Sequence, residues 1–211
     1  MEVIIPGLRE QINNPFFDEV IACSRYSFTY RSINDVSPEK GDIILIQWPE
    51  LIFNWQEPEK EDLSALQEMI GVWKKVAPVF YLVHNERRHY GMTPRFRELY
   101  DLVENSADVM VHFGNFSNNL FLQKYPYKKH VVINHPLYPK ITQKSKNEAR
   151  VELNIPEDRI VLIAPGLIRS LEERSLVLKA FRYFPGNKRT LLAPRMYWKP
   201  SKMEFRGRHR L

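Results

Sequence analysis

Gly41-Asp42-Ile43-Ile44-Leu45-Ile46-Gln47-Trp48-Pro49-Glu50 is the stretch that decides the fold class. Four consecutive apolar residues without polar alternation read as a strand buried on both faces, the situation of a parallel sheet covered by helices. Gly41-Asp42 opens the run as a turn, and Gln47 to Glu50 closes it with polar and ring-bearing residues. A second run of the same kind, Val79-Phe80-Tyr81-Leu82-Val83, follows downstream. Between them, residues 60–75 carry Leu63, Leu66, Ile70 and Trp73 at helical spacing, with Glu61 and Asp62 early and Lys74 and Lys75 late, as the helix dipole favours.

The alternation extends in both directions. Val3-Ile4-Ile5 reads as a first strand, followed by a turn at Asn13-Asn14-Pro15 and a helix through Phe17 to Ile21. Thr93-Pro94 is an N-cap with a first-turn proline, and the helix it opens carries Phe96, Leu99, Leu102 and Val103. Residues 108–112 and 129–133 read as strands with a short helix, 117–124, between them. Residues 136–146 are rich in Pro, Lys, Ser and Thr and read as a boundary. Beyond it come a short helix at 146–153, a strand at 159–164, a helix at 170–181 and a strand at 189–193. The fold class is α/β: a Rossmann-like, doubly wound, mostly parallel sheet over residues 1–140, then the beginning of a second Rossmann-like domain over 141–211.

Composition narrows the function. Of 211 residues, 44% are hydrophobic and 27% charged, ordinary globular usage, and the net charge is +6. From Gly186 onward eight basic residues stand against one acid, Glu204, so this tail carries +7 and everything before it −1. A body so nearly neutral argues against nucleic acid as its partner. No apolar run is long enough to span a bilayer, and Met1 to Pro6 lacks the basic and apolar regions of a signal peptide. The single cysteine, Cys23, follows Val20-Ile21-Ala22 and is expected to be a buried structural thiol in a reducing, cytoplasmic setting.

In open parallel sheets ligands sit beyond the carboxyl ends of the strands. The residues there are Gln47 to Glu50, His84-Asn85-Glu86-Arg87-Arg88-His89, His112 to Asn115, and Asn134-His135. A histidine at a strand end can act as a general base or bond a sugar hydroxyl, and Glu86 could share that work. Arg87 and Arg88 could hold a phosphate; a solvated, salt-bridged loop is the plainer alternative. Trp48 offers a ring for stacking on a sugar or for packing its loop. His84, His89, His112 and His135 show no metal-ligand spacing, so no metal is expected. Gly166, a glycine turn at a helix start, with Arg169 beside it, would suit an anion.

These stretches resemble the family-4 glycosyltransferases of the GT-B fold. Asn14-Pro15-Phe16 resembles their NP(Y/F) segment and residues 41–50 their GD-strand-xWPE stretch. Residues 81–89 resemble strand-HNxxxH, 107–112 resemble AD-strand-H, and 132–138 resemble V-I-x-HPxY. Residues 149–156 resemble ARxxLGIP, and 166–169 the start of GxIRxYKG. The resemblance implies two Rossmann-like domains facing a cleft and sugar transfer from a nucleotide-sugar donor to a glycan or lipid-linked acceptor, without metal or cofactor. His84 takes the active-site histidine position. Asn14, Trp48, Glu50, Asn85, Glu86, Arg88, His89 and His112 fall on the acceptor side, and Gly166 and Arg169 on the donor side.

Two departures follow. The family's lysine and glycine after IRxY fall on Glu172 and Glu173, and the family would continue well past Leu211. The sequence is therefore expected to cover an acceptor domain and the start of a donor domain, and to be inactive by itself. The alternative is a non-catalytic binding or regulatory module that pairs with a separate donor-binding chain. A homo-oligomer or partner chain, and peripheral contact with the inner face of a membrane, complete the expectations. His84 is expected on the rim of a cleft shared with Asn14, Trp48 and His112.

Overall fold

The structure, a computed structural model, describes residues 1–12, 14, 16–88, 91–135, 144–168 and 170–196. The chain divides into two compact units, Met1–Pro139 and Lys140–Leu211. The first is built from β1 (Glu2–Pro6), α1 (Phe16–Cys23), β2 (Ser27–Arg31), β3 (Ile43–Ile46), α2 (Lys60–Trp73), β4 (Val79–Val83), α3 (Pro94–Ser106), β5 (Val109–His112), α4 (Asn115–Lys124) and β6 (Lys129–Val132). Its six strands form one sheet in the order β2-β1-β3-β4-β5-β6, parallel throughout. This is the α/β, Rossmann-like sheet expected from the apolar runs. The order reverses at β1, which pairs with β2 on one side and β3 on the other, so the β1/β3 crevice is the topological switch point.

The strands supply two cores because successive side chains face opposite ways. Ile4, Ile44, Ile46, Val79, Tyr81, Val83 and Met110 face a core shared with α2, α3 and α4. Ile5, Leu82, Val109 and Val111 face the other side, where Phe16 and Phe17 of α1 pack. The four α2 residues read from helical spacing, Leu63, Leu66, Ile70 and Trp73, are the ones that helix buries, each worth about 1.5–3 kcal/mol on full burial. The ends of the helices are fixed locally. Glu59 and Asp62 form a capping box on α2, and Thr93 Oγ1 accepts the Phe96 N–H at the start of α3.

Two local expectations need correction. β2 has no counterpart in the sequence reading. It is an edge strand whose Phe28 and Tyr30 are only half-buried, and Arg31 at its end pairs with Glu2 at 2.9 Å. Cys23 is exposed, not buried: α1 buries Phe16 and Phe17 in its first turn, and burial fades toward its last.

The second unit contains α5 (Lys146–Glu152), β7 (Ile160–Ile163), α6 (Leu171–Tyr183) and β8 (Arg189–Leu192). β7 and β8 pair in parallel, with α6 as the crossover. Among its described residues only Ile155 is a buried hydrophobic, while Val151, Ile160, Ile163, Leu171, Leu176 and Tyr183 are exposed. Two strands are marginal alone, and this pair leaves much of its apolar surface uncovered. Among the described residues no helix is long and apolar enough to cross a membrane.

One glycine is dictated by the fold. Gly7, directly after β1, has φ +128°, and a Cβ there would lie 2.5 Å from Leu51 Cγ, itself fully buried. Gly7→Ala therefore combines backbone strain with a clash, and we expect a loss of roughly 2 kcal/mol or more in urea unfolding. An unchanged midpoint would show that the β1 turn does not need a residue without a side chain.

Candidate functional site

Beyond the carboxyl ends of β3, β4 and β5 the chain assembles a cluster of rings. His84, the first residue after β4, stacks on Trp48 with centroids 4.3 Å apart and planes at 21°. Phe16 meets the His84 ring edge-on at 5.4 Å, and Phe113 lies 5.1 Å away. His135 adjoins Phe16 at 4.8 Å and Phe113 at 5.1 Å. Asn14 prepares this arrangement: its Oδ1 accepts the Phe16 N–H at 3.0 Å and so starts α1 with Phe16 in place.

The cluster borders the switch point. Gln47, the residue after β3, is buried; its Nε2 donates to the Tyr30 hydroxyl at 3.2 Å, and its Oε1 has no partner. The 3₁₀ turn Pro49–Phe53 follows, and Asn54 and Trp55 leave it with φ of +52° and +67°. A left-handed tryptophan is uncommon and must be held by its surroundings. Here the Trp55 N–H donates to the Glu50 carbonyl at 2.8 Å and its indole N–H to the Gln11 carbonyl at 2.9 Å. Trp55 thereby ties the β1–α1 loop to the β3 end, with its ring 6.0 Å from Trp48.

Electrostatically the His84 ring is neutral. Burial, and then the neighbouring His135, push the His84 imidazole down to about 3, and its Nε2 is enclosed without a hydrogen-bond partner. A neutral imidazole with one unsatisfied nitrogen can exchange a hydrogen bond with a hydroxyl. As a proton acceptor at neutral pH it is weak, because its conjugate acid is too strong.

The expected site residues divide. Asn14, Trp48 and His84 are brought together through Phe16. His112 is not: it lies on the opposite face of the sheet. Register explains this. Val83 pairs with His112, so the residue lateral to His84 is Phe113. His112 is fully buried beside Phe121, and its Nε2 meets His130 Nδ1 at 3.0 Å while His130 Nε2 meets the Tyr125 carbonyl at 3.0 Å. The carbonyl can only accept, so His130 carries its proton on Nε2 and receives one from His112 Nε2. His112 Nδ1 is then a buried lone pair with no donor, and burial followed by His130 pushes this group down to about 4.

Glu50 is also turned inward. It is buried and accepts the Tyr100 hydroxyl at 2.8 Å, joining the 3₁₀ turn to α3; burial and this carboxylate together raise the Tyr100 hydroxyl. Asn85 is half-buried next to His84. Glu86 is exposed, 3.7 Å from Arg87, and lines a groove of about 480 Å3 between α3 and α4 with Arg97, Tyr100, Glu104 and Lys124. Arg88 lies over the Phe96 ring. Gly166, in the second unit, is exposed with open space around it, and His89 and Arg169 lie outside the described residues. Ser170 Oγ accepts the Glu173 N–H at 3.1 Å, and Glu172, in the same first turn of α6, is held below the usual carboxylate range by its own backbone N–H and by Ser170. Among the described residues no group of three or more His, Cys, Asp or Glu is placed to hold a metal.

Phe16, Gln47, Phe113 and His135 were not among the expected site residues, although all lie in or beside the stretches that mark the strand ends. A parity count from Val83 would have selected Phe113. No family model matches the sequence, and no curated protein matches it either.

Both histidines are neutral in the fold with pKa values depressed from 6.5, so their contribution is complete above that value and is lost as pH falls toward 4 for His112 and 3 for His84. The unfolded chain takes up those protons first. We expect urea unfolding between pH 6.5 and 4.5 to weaken by about 1.4 kcal/mol per pH unit for each histidine. His112→Asn or His84→Gln should each remove one proton from that slope. Slopes equal to that of the native sequence would mean that these imidazoles are not the groups involved.

Proposed function

We propose that the first unit is the acceptor-binding domain of a GT-B-type glycosyltransferase, with the Trp48–His84 pair as its acceptor platform. The observation that carries this reading is the buried, unpaired His84 Nε2 within a cluster of rings at the mouth of a parallel sheet, beside its switch point. Rings stack on the C–H faces of sugars, and a neutral imidazole can bond a sugar hydroxyl without competing charge. The rings enclose that nitrogen, so an acceptor reaches it once one of them turns aside. His84 then serves as a hydrogen-bond partner that orients the reacting hydroxyl. The low pKa disfavours a role as a base unless the acceptor and donor raise it.

The donor is a nucleotide sugar and the acceptor a glycan or lipid-linked glycan, with no metal or cofactor assigned. Work at the cytoplasmic face of a membrane, with a second copy or partner chain, agrees with that acceptor class. The second unit departs from a donor site. Ser170 and Glu172 already accept N–H groups of the first turn of α6, and two carboxylates, Glu172 and Glu173, stand where a leaving diphosphate would need positive charge. This favours a chain that binds acceptor and does not transfer sugar alone. A binding module that works with a separate donor chain is the second reading, carried by the same two glutamates.

The test is a titration of the purified chain with lipid-linked and free saccharides, measured by calorimetry and located in the native chain by Trp48 indole NMR shifts, with parallel turnover assays on common nucleotide sugars. We expect saturable shifts, about tenfold weaker binding in Trp48→Ala and in His84→Ala, and no turnover. Saccharide binding indifferent to both substitutions would remove the platform, and turnover by the chain alone would overturn the donor-side reading.

A further inference from the structure

Arg88 is an arginine with its surroundings arranged and no hydrogen-bonded or ion-pair partner among the described residues. It lies in the loop after β4, four residues beyond His84, with its guanidinium carbon 3.9 Å from the centroid of the Phe96 ring. Phe96 is a firm base: it is buried, it belongs to the first turn of α3, and its N–H is held by Thr93 Oγ1. Arg9, Arg31 and Arg95 each have a carboxylate partner, at 2.5, 2.9 and 2.9 Å. Arg88 makes no hydrogen bond or ion pair among the described residues. The buried carboxylate of the 3₁₀ turn, Glu50, accepts the Tyr100 hydroxyl, which Arg88 influences by its charge alone. Arg88 Nε is enclosed without a partner, whereas the terminal nitrogens are not among the enclosed atoms. The side chain is therefore fixed at its stem and open at its fork.

We propose that Arg88 binds a phosphate or diphosphate oxyanion at the carboxyl end of β4. A guanidinium held over a ring loses little further freedom when it accepts a ligand, and its planar fork matches two oxygens of a phosphate. The terminal nitrogens, unlike Nε, are not enclosed and have no partner among the described residues. Binding of the oxyanion stands on Arg88 itself. Its assignment to the phosphate of an acceptor rests on the function proposed above.

The same chemistry has two sources, a soluble phosphate ester or a lipid headgroup, and the experiment separates them. The full chain is titrated with inorganic pyrophosphate by calorimetry, and with vesicles of phosphatidylcholine alone or with phosphatidic acid by co-sedimentation. Binding of pyrophosphate that weakens about tenfold or more in Arg88→Gln, with less than about a twofold change in the exposed neighbour Arg87→Gln, supports the site with a soluble ligand. Binding confined to phosphatidic acid vesicles, and lost in Arg88→Gln, supports it with a headgroup. Equal binding by the native chain and Arg88→Gln, or none in either arm, overturns it. If Arg88→Gln does not fold, the guanidinium NMR signals of Arg88 in the native chain decide: they shift on adding pyrophosphate, or the proposal fails. None of these readouts depends on sugar binding, so a failed acceptor platform and a failed anion site are told apart.

Discussion

Strict alternation of side chains across a strand is the constraint from which the rest of the first unit follows. A strand covered on both sides must be apolar at every position, and each of its residues is committed to one core or the other by parity alone. Ile44 and Ile46 serve the side of α2 and α3, and Leu45 between them serves the side of α1. The same count governs the residues just past the strands, where the ladder has ended and side chains are free to turn toward a ligand. His84 inherits the α1 side and so meets Phe16 and Phe113. His112, still inside its ladder, is committed to the other core and is spent on His130.

Burial then decides the chemistry at those positions. Removing an imidazole from water penalises its charged form, and the second histidine near each of these two adds to the penalty. The result is a neutral ring cluster beside a loop whose one half-buried arginine keeps its charge exposed at the fork. A neutral imidazole and an unpaired guanidinium thus stand four residues apart on a single loop, at His84 and Arg88. The left-handed pair Asn54-Trp55 braces the opposite wall, because two hydrogen bonds from Trp55 join the β3 end to the loop after β1.

Much of this was legible in the residues. The unbroken apolar runs of β3 and β4 identified a buried parallel sheet, and the spacing in α2 named its four core residues. Edge positions were not legible: β2 carries Thr29 and Arg31 and buries nothing fully, so its pattern resembles a loop. Cys23 was misplaced because its apolar neighbours implied a burial that α1 does not extend to its last turn. Glu50 and His112 looked like site residues because polar side chains at strand ends usually face solvent. Both are instead paired inside, Glu50 with Tyr100 and His112 with His130, contacts that link residues far apart in sequence and leave no local signature.

The strand order has a bearing on how the chain is made. Once β3 is in place, each strand from β4 to β6 pairs with the one synthesised just before it, so the sheet grows outward along a single edge. A nascent chain leaving the ribosome can add each strand and its crossover helix to an edge already present, without waiting for distant sequence. Only β3 must reach back past β2 to find its partner, β1. The slow step of assembly therefore falls early, at the crevice beside which the rings of Trp48 and His84 later gather, and the remainder follows in the order of translation.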